Sequence, residues 1–266
     1  MFVNNELPPE NVFGHTKKVD LIRNKMEELS RDLGRGLKVL DVGCGNGSAV
    51  TRYLRHNGGD VLGLDFHEPS IEYAQRNYSG DGLRFQVRRV EDLWIDDERF
   101  DVVVLADVLE HLGAPDELLK KVSLLMNDSG RIYVTIPNGF GPFEIESFIA
   151  RIPLVGKVLI KATDYFIAFL NKCVFTGAWC KGVDDQNIPY NEESPHIQFF
   201  TKKRFIEIAR ESGLVVEEWR NLSWLSGPFT NYLFSPSHSF CKFNLWAADI
   251  LPHFMVSAWF IELRKV

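Results

Sequence analysis

Apolar residues recur along this chain in two alternating patterns, short unbroken runs and stripes at helical spacing. Thr16 to Leu33 carries Val19, Ile22, Met26 and Leu29 at that spacing and stops before Gly34 and Gly36, so a leading helix is expected within 15–36. Leu37–Val42, Val61–Asp65, Leu83–Val87, Phe100–Leu105 and Arg131–Ile136 have strand length and composition. Helices are predicted between them at Ser48–His56, Pro69–Tyr78 and Leu118–Met126, with a turn at Asn127-Asp128-Ser129-Gly130. The near-continuous apolar run Phe100–Leu105 suits a strand covered on both faces. Strands alternating with helices over short links imply an α/β fold, a parallel, doubly wound sheet with helices on both sides.

After Pro137-Asn138-Gly139 the alternation stops, and 139–195 reads as a mostly helical, apolar insertion behind the fifth strand. Within 144–172, Val155, Leu159, Ala162, Phe166, Phe169 and Leu170 share one helical face, while Lys157, Lys161, Asp164 and Lys172 lie elsewhere. Two readings stand side by side: a lid that excludes water from a site, or a helix in peripheral contact with a membrane. The small net positive charge of the segment favours the lid. Alternation resumes at 196–266 with a helix at Lys202–Ser212, a strand at Leu214–Trp219, a long aromatic-rich link and a terminal strand at Met255–Leu263. The whole, 1–266, is read as one domain around a core of 37–138.

At 266 residues and 45% hydrophobic content, the chain can bury a substantial core. Its net charge of -6 argues against broad nucleic-acid binding and for a small-molecule partner. Cys44, Cys173, Cys180 and Cys241 form no Cys-x-x-Cys pair, which excludes zinc-ribbon and dithiol-redox readings and fits a reducing cytoplasm. No basic and apolar leader opens the sequence. The longest uncharged stretch, Asn221 to Cys241, is broken by Pro228 and Pro236 and is not read as a membrane span.

The most specific chemistry lies in Leu40-Asp41-Val42-Gly43-Cys44-Gly45-Asn46-Gly47, an acid and three alternate glycines where the first strand turns. Glycines there permit positive φ and close approach of the backbone to a ligand, and the spacing is not the G-x-G-x-x-G of dinucleotide folds. Asp41 is placed to receive an ammonium group. The stretch resembles motif I of class I S-adenosylmethionine (SAM)-dependent methyltransferases. That resemblance implies a Rossmann-like seven-stranded sheet with its last strand antiparallel beside the fifth, and SAM as cofactor. It places Asp41, Gly43, Gly45 and Gly47 at the cofactor, Asp65 at the ribose hydroxyls with Phe66 beside it, Glu91 or Asp92 at the adenine, and Ala106 near the reacting end. For Asp92, a solvated surface position is an equal alternative.

Ala106-Asp107-Val108-Leu109-Glu110-His111-Leu112 follows the fourth strand, at the carboxyl edge where open α/β sheets bind ligands. An imidazole at His111 can take a proton from a hydroxyl nucleophile. Asp107, Glu110 and His111, with His196 in Ser194-Pro195-His196, resemble the Glu-x-x-Glu-His motif and distant His of quinone-biosynthesis O-methyltransferases and small-RNA 3′-end 2′-O-methyltransferases. The resemblance implies catalytic roles for Glu110, His111 and His196. It also implies a divalent cation such as Mg, held by Asp107, Glu110, His111 and His196, with Asp107 one methylene shorter than the family's Glu. The expected function is methyl transfer from SAM to an oxygen of a small, hydrophobic or glycosylated acceptor. An RNA 2′-O-methyltransferase and a non-catalytic SAM-binding partner subunit remain the alternatives.

Overall fold

In the computed structural model, which describes residues 2–3, 6–153, 158, 161, 163–165, 189, 195–235 and 237–266, the five apolar runs become β1 (Lys38–Val42), β2 (Asp60–Asp65), β3 (Leu83–Val87), β4 (Phe100–Ala106) and β5 (Met126–Pro137). They pair in parallel, and β6 (Leu214–Ser223) and β7 (Ala258–Lys265) complete a seven-stranded sheet in the order β3-β2-β1-β4-β5-β7-β6. β7 runs antiparallel to both β5 and β6. The order reverses direction between β1 and β4, so the crevice that serves as a ligand site in doubly wound sheets opens above those two strands.

Helices α1 (His15–Leu33), α2 (Glu68–Tyr78) and α3 (Pro115–Leu124) lie where the stripes predict them, within three residues at their starts. Val19, Ile22, Met26 and Leu29 of α1 are all buried, and Gly34 ends the helix at φ 66°. Apolar side chains on both sides of the sheet build two cores, one around Leu40, Val103 and Ile132 and the other around Val39, Val104 and Phe260.

Three expectations are corrected. Ser48–His56 forms only a tight turn at Thr51–Leu54, because the Asn46 side chain caps Ser48 and the buried His56 ring ties the chain down, accepting from Leu37 N–H and donating to the Leu54 carbonyl. Asn127–Gly130 is not a free turn but an irregularity inside β5, where the register against β4 jumps between Phe100 and Val102. The aromatic-rich link holds two helices, labelled α6 (Pro228–Phe234) and α7 (His238–Ile250), the second capped by the Ser237 side chain. They follow α4 (Pro142–Arg151) and α5 (Lys202–Glu211). The predicted apolar face of the insertion, together with Cys173 and Cys180, lies outside the described residues. No helix among the described residues is long and apolar enough to cross a membrane.

Candidate active site

The carboxyl end of β1 turns through Gly43, Gly45 and Gly47 at φ 73°, 54° and 74°, conformations that side-chain-bearing residues rarely adopt. The N–H groups of Gly43 and Cys44 both donate to the Leu64 carbonyl at 2.8 and 2.9 Å, which folds the corner over β2. A Cβ on Gly43 would stand 2.6 Å from a Val108 methyl, so the corner also needs glycine for space. Asp65 accepts the Gly45 N–H on one carboxylate oxygen and the His67 N–H on the other, each at 2.8 Å. It thereby fastens the loop after β2 to the glycine corner.

Two cavities meet at Gly43. One, about 510 Å³, runs past Asp65, Phe66, Val90 and Glu91. Phe66 is 72% exposed, a ring standing open at the cavity's edge. Glu91 pairs with Lys121 at 2.7 Å, and this hydrogen bond holds its carboxyl below the usual range. Asp92 does not join this wall: its carboxylate turns back to the Arg89 N–H. The second cavity, about 530 Å³, is lined by Lys18, Gly45, Ala106, Asp107, Glu110, His111 and His196, among others. One space thus presents an open aromatic ring and acids, and the other a lysine, two acids and the imidazoles of His111 and His196.

Asp41 lies beneath this floor rather than on it, 1% exposed and bonded to the Thr51 hydroxyl at 2.7 Å. Burial pushes its carboxyl up to about 7 against the opposing Thr51 hydrogen bond. It therefore supports the corner from below and lines neither cavity, whereas the sequence reading set it at a ligand's ammonium group.

Asp107 sits at φ 58° at the end of β4. One carboxylate oxygen pairs with the ammonium of Lys18 and the other accepts from the Thr135 hydroxyl at 2.8 Å. Desolvation raises its carboxyl, but the Lys18 charge and the hydrogen bonds outweigh it and leave the group below the usual carboxylate range. Both oxygens are thus committed, and Asp107 does not converge with the cluster expected to hold a cation.

Glu110, His111 and His196 do converge, with one donor atom from each within 4.8 Å of the others. The segment returning from the insertion makes this happen: the N–H groups of Ile197 and Gln198 both donate to the Glu110 carbonyl at 2.9 Å. The His111 and His196 rings then meet edge to face, centroids 5.0 Å apart. His111 Nδ1 faces the Pro195 carbonyl at 3.1 Å, which can only accept, so Nδ1 carries the proton. His196 Nδ1 donates to the Glu144 carboxylate at 2.7 Å. In both rings Nε2 has no hydrogen-bond partner among the described residues. Glu110 is 1% exposed with Oε2 buried and unpartnered, and desolvation, reinforced by the Asp107 charge, drives its carboxyl well above the usual range.

Two residues at this site escaped the sequence reading. Lys18 stands one helical turn before Ile22 on the buried stripe of α1, and a lysine on an apolar stripe was the available signal. Glu144, in the first turn of α4 and 9% exposed, had none, since it opens the segment read as an apolar insertion. Pro189, within the insertion, accepts from the Asn46 amide at 3.1 Å and the Ser70 hydroxyl at 3.3 Å, so the insertion reaches the glycine corner.

Residues 33–174 match a family model described as a methyltransferase domain. Among curated relatives, a ubiquinone biosynthesis O-methyltransferase of Coxiella burnetii (strain Dugway 5J108-111) is 31% identical over 145 residues, 53% of this chain and 61% of its own. Its counterparts from other Coxiella strains align over 45% of their length, so the chain spans about half the length of these relatives. The enzyme of the same name from Leptothrix cholodnii is 28% identical over 193 residues, 70% of this chain and 81% of its own. In fold the chain is similar to PKMT2 from Rickettsia typhi, at a TM-score of 0.56 and 16% identity over 98% of this chain and 55% of that one. It is likewise similar to a TehB-like SAM-dependent methyltransferase from Corynebacterium glutamicum, at 0.50 and 17% over 96% and 89%.

Proposed function

This chain belongs to the class I SAM-dependent methyltransferases, and from that premise we propose that it transfers the SAM methyl group to an oxygen of a small acceptor. The observation that carries the proposal is the pair of imidazoles, His111 and His196, whose Nδ1 atoms are both engaged and whose Nε2 atoms have no hydrogen-bond partner among the described residues. The relatives named ubiquinone biosynthesis O-methyltransferase support oxygen as the receiving atom.

In this reading the acceptor hydroxyl approaches the methyl carbon opposite the sulfur. The new C–O bond forms as the C–S bond breaks, the sulfur keeps the electron pair, and the hydroxyl proton passes to His111 Nε2. Glu144 holds His196 in orientation, and Glu110, buried with its carboxyl pushed above the usual range by desolvation, faces the two rings. The donor set of one buried carboxyl with an orphaned oxygen and two free imidazole nitrogens also fits a divalent cation on Glu110, His111 and His196, without Asp107. When bound, such an ion would lower the pKa of an acceptor hydroxyl.

The insertion, touching the corner through Pro189, closes the site as a lid in this proposal. Contact with a membrane through 144–172 is the second reading, supported by Ile145, Phe148 and Ile152, which are exposed in a line along α4. Phe148→Glu should abolish sedimentation with anionic vesicles if that reading is right.

The decisive test follows labelled methyl from SAM into a panel of catechols and phenols, with SAM affinity measured by calorimetry. We expect His111→Ala to retain SAM binding and lose methyl transfer by about 100-fold or more, the range for a general base. Undiminished turnover in that variant would remove His111 from the mechanism, and methylation of amines alone would overturn oxygen as the acceptor.

A further inference from the structure

At the opposite end of the sheet, a cavity of about 270 Å³ lies between the turn Thr51–Leu54, the end of α2 and the start of β3. It shares no lining residue with the two cavities of the cofactor cleft. Its polar wall brings together Arg52, Arg55, Tyr53, Asn77, Tyr78 and Ser79. The guanidinium of Arg55 lies along Gly80, where an ideal Cβ would stand 3.4 to 3.7 Å from its Cζ and both terminal nitrogens. Its Nε is buried without a hydrogen-bond partner among the described residues. Arg52 stacks over Tyr53 and Tyr78, 4.5 and 5.1 Å from their ring centroids, and hydrogen-bonds both tyrosine side chains.

Several other arginines of this acidic chain are matched to carboxylates, as Arg35 is to Asp101, Arg84 to Asp60 and Arg264 to Glu217. Here two guanidinium groups line one cavity with a single carboxylate, Glu6, which is exposed. A buried donor without a partner costs stability unless an acceptor joins it, and an anion in a cavity lined by two arginines supplies one. Guanidinium forks match the oxygens of phosphate, and a dianion suits two of them better than a carboxylate does. The cavity is also larger than a phosphate needs, and the Tyr78, Asn77 and Ser79 side offers ring and amide contacts to an attached polar group.

We propose that this cavity binds a small phosphate monoester, its phosphate held by Arg52 and Arg55. The site does not depend on the acceptor chemistry proposed above. It is tested by calorimetry on the full chain in phosphate-free buffer, with ribose 5-phosphate, inorganic phosphate and ribose as probes. Ribose 5-phosphate should bind saturably with a Kd of about 1 mM or tighter, inorganic phosphate about 10-fold more weakly, and ribose not at all. Arg55→Gln and Arg52→Gln should each weaken ribose 5-phosphate by about 10-fold or more while SAM affinity, the control for folding, stays within about twofold. Absence of saturation by ribose 5-phosphate at about 10 mM overturns the proposal, as does unchanged affinity in both variants. An independent readout on the wild-type protein is protection of Arg52 and Arg55 from phenylglyoxal by ribose 5-phosphate, mapped by mass spectrometry. Protection supports the site, and equal modification with and without the probe counts against it.

Discussion

The ammonium of Lys18 on α1 closes an ion pair with the carboxylate of Asp107 at the end of β4, joining the leading helix to the loop that carries Glu110 and His111. The lysine side chain is 6% exposed, and Asp107, which also bonds Thr135, is held at positive φ. The pair commits the carboxylate that a four-ligand cation site would need.

Removing one member of that pair should therefore cost more than removing both. Lys18→Met leaves Asp107 without its cation and should destabilise the protein by about 1–2 kcal/mol, discounted for the exposure of Asp107 to the cavity. Lys18→Met combined with Asp107→Asn should recover at least about half of that loss. Urea unfolding of the two single variants and the double variant measures the coupling, and strictly additive losses would show that the pair contributes nothing.

The bond between His196 Nδ1 and Glu144 Oε1 makes a different prediction, one about rate. Glu144→Ala frees the ring to turn and should lower methyl transfer by about 10- to 100-fold, the range for lost supports of site histidines. Glu144→Gln keeps an acceptor oxygen and should lie between. SAM affinity measured alongside should hardly move, whereas a parallel fall in affinity and rate would mean that Glu144 shapes the cofactor cleft instead.

At the glycine corner, Gly43→Ala faces both a positive φ and a clash with Val108. Val108→Ala should relieve the clash but not the backbone strain, which costs about 1–2 kcal/mol for an alanine in the left-handed region. The double variant should accordingly recover SAM affinity only in part. Full recovery in a calorimetric titration would show that space alone demands glycine there.

Asp41 ties stability to pH. Its folded-state carboxyl, raised by burial to about 7 from 3.8, binds a proton that the unfolded chain has already released between those values. The folded state therefore holds more protons, and this contribution to stability falls as pH rises from about 4 to 7, by on the order of 4 kcal/mol at most. His15 acts in the opposite sense: burial, with the Lys18 charge adding to it, lowers its imidazole to about 4, so its contribution is lost as pH falls from 6.5 toward 4. The difference between wild type and Asp41→Asn isolates the aspartate. Asn should gain on wild type between pH 5 and 7.5 in urea midpoints, and parallel profiles would refute the assignment.

Much of the fold was legible in local pattern. Short apolar runs and helical stripes located five strands and helices α1, α2 and α3 because backbone geometry sets those patterns, and Gly43, Gly45 and Gly47 announced a corner because few other residues tolerate its φ angles. The Ser48–His56 helix failed where side chains overrode propensity: Asn46 and His56 satisfy the backbone differently.

The sequence alone determined the identity of the chemical groups, their order along the chain and the sheet whose carboxyl edge carries them. Tertiary packing decided which of them meet. Asp107 and Glu110 are three residues apart, yet one turns to Lys18, 89 positions earlier, and the other lies under His111 and His196. Asp41, at the heart of the most recognisable motif, is sealed beneath the cavity floor. Spacing in sequence reports where the backbone places a residue, whereas the partner of a charged or ring side chain depends on what distant elements bring within hydrogen-bonding distance and on how much water they leave there.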